Sequence, residues 1–382
     1  MPISRKTAHM TQRERILAVY RNQTPDVVPY MLDLSHWYYH KFKQPWDLTI
    51  SYDKPEYALI DYHRMMGAGF YVPNLGSFYA ARYADDVQAL TYKETIGGQP
   101  AITWRLTTPL GTIQRSRIWE EDSYSWGIRE WGVKTENDLR VLGYALASRT
   151  YTPIWEHYND WKNYVGDLGI VYMLVGYSAM GHIMNYWMGS VETVYAASDW
   201  PDTLHDVVDA INANCLKLID LVAESPAEIV CMGDNFSSDL QPPSFYNTWS
   251  RPYYTEAIRR LHDAGKYSAV HIDGRLRGAL TMIRDSGADA ADAVTPIPTG
   301  DLTPAQCRAE AGPDFILSGG VAPALWLPDV DIKAFERAVI EWLDLRKISP
   351  RIIANAGDQV PPGAEEKRIT LMRDLVEEYG KY

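Results

Sequence analysis

Cysteine is scarce in this chain. Cys215, Cys231 and Cys307 are the three present in 382 residues, far apart and with no CxxC pair. That excludes thiolate zinc ribbons and dithiol redox motifs, and the odd, sparse count suits a reducing compartment. Phenylalanine is scarce as well, with 7 residues against 26 Tyr and 13 Trp. Rings with a polar tip suit clefts and interfaces, although an excess of tyrosine more often carries no special meaning. Positive charge is in deficit: 37 Lys and Arg stand against 49 Asp and Glu, a formal net charge of −12. A nucleic-acid binder needs a basic face to neutralise phosphates, so that class is excluded. No apolar run reaches the roughly 18 residues of a membrane span. The opening "MPISRKTAHMTQRERILAVY" has no apolar signal core. The expectation is a soluble cytoplasmic protein without nucleic-acid or membrane partners, and a homo-oligomer is compatible with it. The chain also lacks a G-x-S-x-G elbow, a P-loop and a dinucleotide fingerprint, which removes three large enzyme classes.

What the sequence does contain is a rhythm. Short apolar runs end in polar or glycine-rich turns, at "VVPYMLD" (27–33), "GFYVPN" (69–74), "IVYMLVG" (170–176) and "EIVCMGDN" (228–235). The series continues with "YSAVHIDG" (267–274), "ADAVTPIP" (291–298), "FILSGG" (315–320) and "RIIANAGD" (351–358). Amphipathic stretches separate them, among them "PYYTEAIRRLHDAGK" and "TPAQCRAEAG", the latter with Thr303 as cap and Gln306 closing a capping box. Eight strand runs alternating with helices predict an α/β protein, a (β/α)8 TIM barrel. An N-terminal helix, "TQRERILAVYRNQ", precedes it, with Thr11 and Glu14 as its box. Residues 80–135 break the rhythm by alternating around "GG", which predicts an inserted β-hairpin or meander. No Pro/Gly/Ser-rich linker divides the chain, so residues 1–382 read as a single domain carrying that insert.

In such barrels reactive groups gather at the C-terminal strand ends. That rule nominates Asp33, His36, Asn74, Tyr177, Asp234, Asn235, His271, Asp273, Thr295, Ser318 and Asp358. Residues two apart on a strand face one side, so His271 and Asp273 of "AVHIDG" would point together into the mouth. Imidazole and carboxylate both ligate Zn²⁺ and similar ions, and Asp358 is the best-placed third donor. On spacing alone H-x-D is weak, and a hydrogen-bonded His–Asp pair without metal is the more frequent arrangement. Asp234 has a similar alternative, as a carboxylate that caps the next loop. His182 reads more readily as a satisfied loop histidine, and Cys231 as a small hydrophobe.

Several segments, taken in order, resemble the uroporphyrinogen decarboxylase superfamily, and within it the corrinoid-dependent methyltransferase branch. They are "TQRERILAVYRNQTPDVVPY", "TPLGT" (108–112), "MGDNFSSDLQPPSFYNTWSRPYY" (232–254), "HDAGKYSAVHIDG" (262–274) and "IIANAGDQVPPGAEEKRI" (352–369). The resemblance runs over nearly the whole length and implies the same barrel. It implies a zinc site on His271, with Asp273 and Asp358 falling where that branch has cysteines. An oxygen-rich site suits an ether or alcohol oxygen better than a thiol. The function expected is therefore transfer of a methyl group from a small methylated substrate, plausibly an aromatic methyl ether, to the cobalt of a corrinoid carried on a partner protein. Asp234 and His271 are the expected catalytic residues. His36, Trp37, Tyr38, Tyr177, Asn235 and Thr295 are expected to bind substrate; for the aromatic patch around residues 37–46, core packing is the competing account. The decarboxylases of the superfamily use an Arg-rich segment after the first strand, whereas "MLDLSHWYYHKFKQPW" has no arginine. Two alternatives stay open: a metal-independent decarboxylase or lyase, and a non-catalytic barrel that binds a corrinoid or tetrapyrrole.

Overall fold

The computed structural model describes residues 9–44 and 46–382; the first eight residues of the expected domain lie outside it. Helix Gln12–Tyr20 opens the described chain. The Glu14 N–H donates to Thr11 Oγ1 (3.2 Å) and the Thr11 N–H to Glu14 Oε2 (2.7 Å), the reciprocal cap expected there. Thr303 and Gln306 cap helix Pro304–Ala311 in the same way.

Six parallel strands lie side by side in chain order: Met173–Leu174, Ile229–Phe236, Tyr267–Ile272, Ala290–Val294, Ile316–Gly320 and Ile352–Asn355. Two more extended segments close the ring. Tyr30 pairs in parallel with Ala354, Met31 with Gly69, and Phe70 with Gly169. The Met31 N–H donates to Ala354 O (3.1 Å), Leu32 to Gly69 O (3.1 Å) and Ile170 to Phe70 O (3.0 Å). This is the (β/α)8 barrel expected from the eight apolar runs. Its first two strands are thin because Pro29 and Pro73 lack the N–H that a continuous ladder needs. The closure is tight: a Cβ on Gly169 would lie 2.0 Å from Phe70 O.

The barrel interior is filled by Met31, Tyr71, Ile170, Tyr172, Ile229, Cys231, Ala269, Ala290, Ile316 and Ile353. Ile16, Leu17, Val19 and Tyr20 of the first helix join that cluster and seal the barrel at its N-terminal end. Cys231 packs as the small hydrophobe expected. Chemistry is thereby left to the opposite face, where the βα loops gather.

The interruption at 80–135 holds a four-stranded antiparallel meander, Gln88–Ile96, Gln99–Thr108, Gly111–Glu120 and Ser125–Glu130. Gly97 and Gly98 make its first turn with φ of +60° and +87°, the pair of left-handed residues that a tight hairpin requires. At its root, Tyr79–Arg82 pairs antiparallel with Thr150–Pro153. Among the described residues no helix is long and apolar enough to cross a membrane.

Candidate active site

A cavity of about 420 Å³ opens at the C-terminal strand ends. Asp33, Asn74, Tyr177, Asn235, His271, Asp273, Asp292, Asp358 and Gln359 line its wall, over a floor that includes Tyr71 and Cys231. Tyr177, Asn235, His271, Asp273 and Asp358 of the expected site are therefore brought together. Two of the strands that deliver them are irregular at this end. Register shifts between Met232 and Phe236 and between Ala291 and Val294, and Asn235 and Ala293 sit at φ +48° and +67°. Bulges of this kind re-aim side chains beside functional sites.

His271 does not pair with Asp273. Its Nδ1 donates to Asp292 Oδ2 (3.4 Å) on the neighbouring strand, where Asp292 lies opposite it in register. Ser318 donates to the other oxygen of Asp292 (3.2 Å), and Asn355 Nδ2 lies 3.5 Å from Ser318 Oγ. One polar belt thus crosses four successive strands. Burial acts to lower the imidazole's pKa, but the bond to Asp292 and the charges of Asp358, Asp292 and Asp273 overcome it and push His271 up to about 9. Asp358 is raised above the usual carboxylate range, by burial first and then by Asp273 and Asp33. Asp273 is exposed at the rim, its Oδ1 accepting from the Gly274 N–H (2.7 Å). Across the cavity Asp33 is held rigidly. Its oxygens accept from the Ser35 N–H (2.9 Å), Asn74 Nδ2 (2.6 Å) and Gln359 Nε2 (3.0 Å).

Four carboxylates around one imidazole are, in kind, the donors of a hard divalent cation. Nε2 of His271 has no protein partner among the described residues, and an Asp on the other ring nitrogen is the usual orienting arrangement for a metal-binding histidine. As placed, however, no three His, Cys, Asp or Glu side chains among the described residues converge on one metal position. For His271, Asp273 and Asp358 to share an ion, their donor atoms would have to move together.

The remaining expected residues lie elsewhere. Asp234 is 1% exposed and does not line the cavity. Its Oδ1 accepts from the Ser178 N–H (2.6 Å) and its Oδ2 from Tyr254 Oη (2.7 Å), while its carbonyl accepts from Asn185 Nδ2 (2.7 Å). It fastens the loop that carries Tyr177, in keeping with the loop-capping alternative. Trp37 and Tyr38 are buried in the core, with Trp37 Nε1 donating to Ala364 O (2.8 Å) and Tyr38 packed on Phe42 and Tyr62. His36 Nε2 sits 3.0 Å from Tyr124 O in the meander, and Trp126 Nε1 donates back to Trp46 O (2.5 Å). The aromatic patch braces the first loop against the insert and does not line this cavity, in keeping with the core-packing account. Thr295 is buried, its hydroxyl donating to Ala293 O (3.1 Å) outside the cavity lining.

A closed (β/α)8 barrel with a titratable cluster at its C-terminal mouth is the layout of an enzyme. The uroporphyrinogen decarboxylase (URO-D) family matches residues 176–379, more than half of the chain, and the protein belongs to that family. His271, Asp273, Asp292 and Asp358 all fall within the matched span; the first helix, the first two strands and the meander precede it. Among solved structures, a methyltransferase from Methanosarcina mazei is similar over 97% of this chain and 99% of its own, with a TM-score of 0.62 at 14% identity. At that identity the likeness is one of fold. A D-psicose 3-epimerase from Clostridium cellulolyticum H10 overlaps 60% of this chain and 85% of its own at a TM-score of 0.38 and 10% identity. No curated protein matches the sequence.

Proposed function

We propose that this protein is a methyltransferase that takes a methyl group from a small methylated substrate, an aromatic methyl ether in the first instance, and passes it to the cobalt of a corrinoid borne on a partner protein. The observation that carries the proposal is the Asp292–His271 pair, which leaves Nε2 free in a cavity lined by Asp273 and Asp358. Family membership and the methyltransferase neighbour support it. His271, Asp273 and Asp358 would hold a divalent cation, zinc by the resemblance, and such an ion when bound polarises an ether oxygen and stabilises the departing oxyanion. The chain's own groups do the rest. Asp292 holds the imidazole in one orientation, Asp33 anchors the facing wall through Asn74 and Gln359, and Asp234 fixes the loop that brings Tyr177 to the cavity. The open C-terminal mouth is where the corrinoid-bearing partner would dock.

The test is metal content and turnover together. Protein purified without chelators should carry about one zinc per chain, lost in Asp273→Ala. Turnover of methoxyarenes with a Co(I) corrinoid should be lost in the same variant while its circular dichroism is unchanged. Turnover near that of the unaltered protein in Asp273→Ala would overturn the assignment. One observation favours a second reading: the donors do not converge and His271 is pushed up to about 9, which suits a metal-independent lyase with a cationic histidine. Retained activity toward an acid substrate in metal-free protein would select it.

A further inference from the structure

Beside the cavity, behind Tyr177, lies a cluster of cationic side chains that the mechanism above does not use. Arg115 and Arg117 are two residues apart on strand Gly111–Glu120 of the meander and so share a face. Arg115 is 3% exposed, its guanidinium carbon 4.0 Å from the centre of the Trp104 ring and 3.8 Å from that of Tyr186. Arg117 stands 5.1 Å from the same Tyr186 ring. Tyr186 packs on Tyr177 at 5.2 Å, and His182 on Tyr177 at 5.7 Å. Tyr177 itself lines the cavity.

These cations are set apart by what they lack. Of the other enclosed arginines, Arg15 is matched by Asp26 and Glu377 and Arg368 by Glu365, while Arg308 donates to the Gly312, Phe315 and Arg351 carbonyls and Arg351 to the Val19 carbonyl. Among the described residues Arg115, Arg117 and Arg149 have no carboxylate in ion-pair reach. The groups that face Arg115 electrically are Tyr186, Tyr177 and a second cation, Arg117, and burial with that neighbour depresses it to about 10. Nε of Arg115, Nε of Arg117 and Nδ1 of His182 are each enclosed without a hydrogen-bond partner. Arg149 adds its charge at His182. An enclosed guanidinium without an anion is costly, and stacking on rings covers its faces but not its donor edge. The planar fork is the group that matches a carboxylate.

We propose that Arg115 and Arg117, backed by Arg149 and His182, form the receiving site for a carboxylate on the substrate, with Tyr177 as the wall between that end and the reacting end in the cavity. The aromatic lining of Trp104, Tyr177 and Tyr186 suits an aryl carboxylate. The proposal rests on the reading of the cavity as the place of reaction.

The test is calorimetric titration of the full chain, with EDTA present so that no metal competes for the anion, using benzoate, the neutral isostere benzamide and inorganic phosphate. Benzoate should bind at least about tenfold more tightly than benzamide, as charge-assisted pairing implies. Arg117→Gln, at a half-buried position, should lose that preference and leave benzamide binding unaltered. Arg115→Gln should do the same, with circular dichroism as its folding control. Equal binding of benzoate and benzamide by the unaltered protein, or a preference that survives Arg117→Gln, would overturn the proposal, and phosphate binding tighter than benzoate would overturn its carboxylate assignment. Because the titration needs no turnover, charge discrimination without methyl transfer would count against the functional reading alone. Methyl transfer without charge discrimination would count against this site alone.

Discussion

Replacing Glu56 by Gln should make the protein progressively more stable, relative to the unaltered chain, as the pH rises. Glu56 precedes helix Tyr57–Met66, is 9% exposed, and has no hydrogen-bond partner among the described residues on either carboxylate oxygen. Burial, and secondarily the charge of Asp33, push its pKa from 4.5 up to about 8. A carboxyl raised in this way contributes stability that is fully present below the unfolded value and is lost as the pH climbs through the folded one. At about 1.4 kcal/mol per pH unit between those two values, the penalty grows to about 4–5 kcal/mol by pH 9 and is under about 1 kcal/mol at pH 5. Gln is nearly isosteric and cannot ionise. Burying its amide adds a cost of its own, but one that does not vary with pH. The readout is therefore the change in the stability difference, variant minus unaltered chain, between urea denaturations at pH 5 and pH 9. All other titrating groups are common to both proteins and cancel. A gain of about 3–5 kcal/mol toward the variant over that interval is expected. Parallel pH profiles would refute the reasoning and mean that Glu56 finds water or a partner when it ionises.

Asp292→Asn should weaken zinc binding about 10–100-fold by releasing the imidazole it orients, measured by competition with a chromophoric chelator; unchanged affinity would remove Asp292 from the site. Gly169→Ala places a methyl 2.0 Å from Phe70 O at the barrel seam and should cost about 1–3 kcal/mol or more. A urea midpoint equal to that of the unaltered protein would show that the seam between those strands is not packed as described.

The barrel was legible because parallel strands, covered on both faces, read as continuous apolar runs, and their ends are marked where polar residues return. All eight runs form the ring, and seven of the eleven strand-end side chains chosen on that basis line one cavity. Asp292 was missed because it sits inside the run "AADAV" and not at its end. An acid within a fully buried strand was the available signal, since such a group must find a partner. The aromatic patch at 36–46 was ambiguous for another reason. Its polar partners lie far along the chain: the Tyr124 carbonyl for His36, the Ala364 carbonyl for Trp37, and the Trp126 indole N–H, which donates to the Trp46 carbonyl. No local pattern distinguishes a ring that lines a pocket from one that braces a loop. Asp234 was ambiguous for the same reason, because its partners Ser178 and Tyr254 belong to a loop and to a helix far from it in sequence.

The family match begins at Gly176, and that boundary divides the candidate chemistry. His271 and Asp292 lie after it on barrel strands whose spacing is fixed by the ring, and Asp273 and Asp358 on the loops that leave two of those strands. Arg115, Arg117 and Arg149 lie before it, the first two on a meander anchored at its root by the strand pair 79–82 and 150–153. Barrel strands hold reacting groups rigidly, whereas loops and inserts at the mouth can change without disturbing the ring. On this reading the acidic wall at the strand ends performs the reaction, and the cationic wall chooses the substrate. Exchanging the meander should then change which compounds are accepted while leaving the reacting groups on the barrel strands in place.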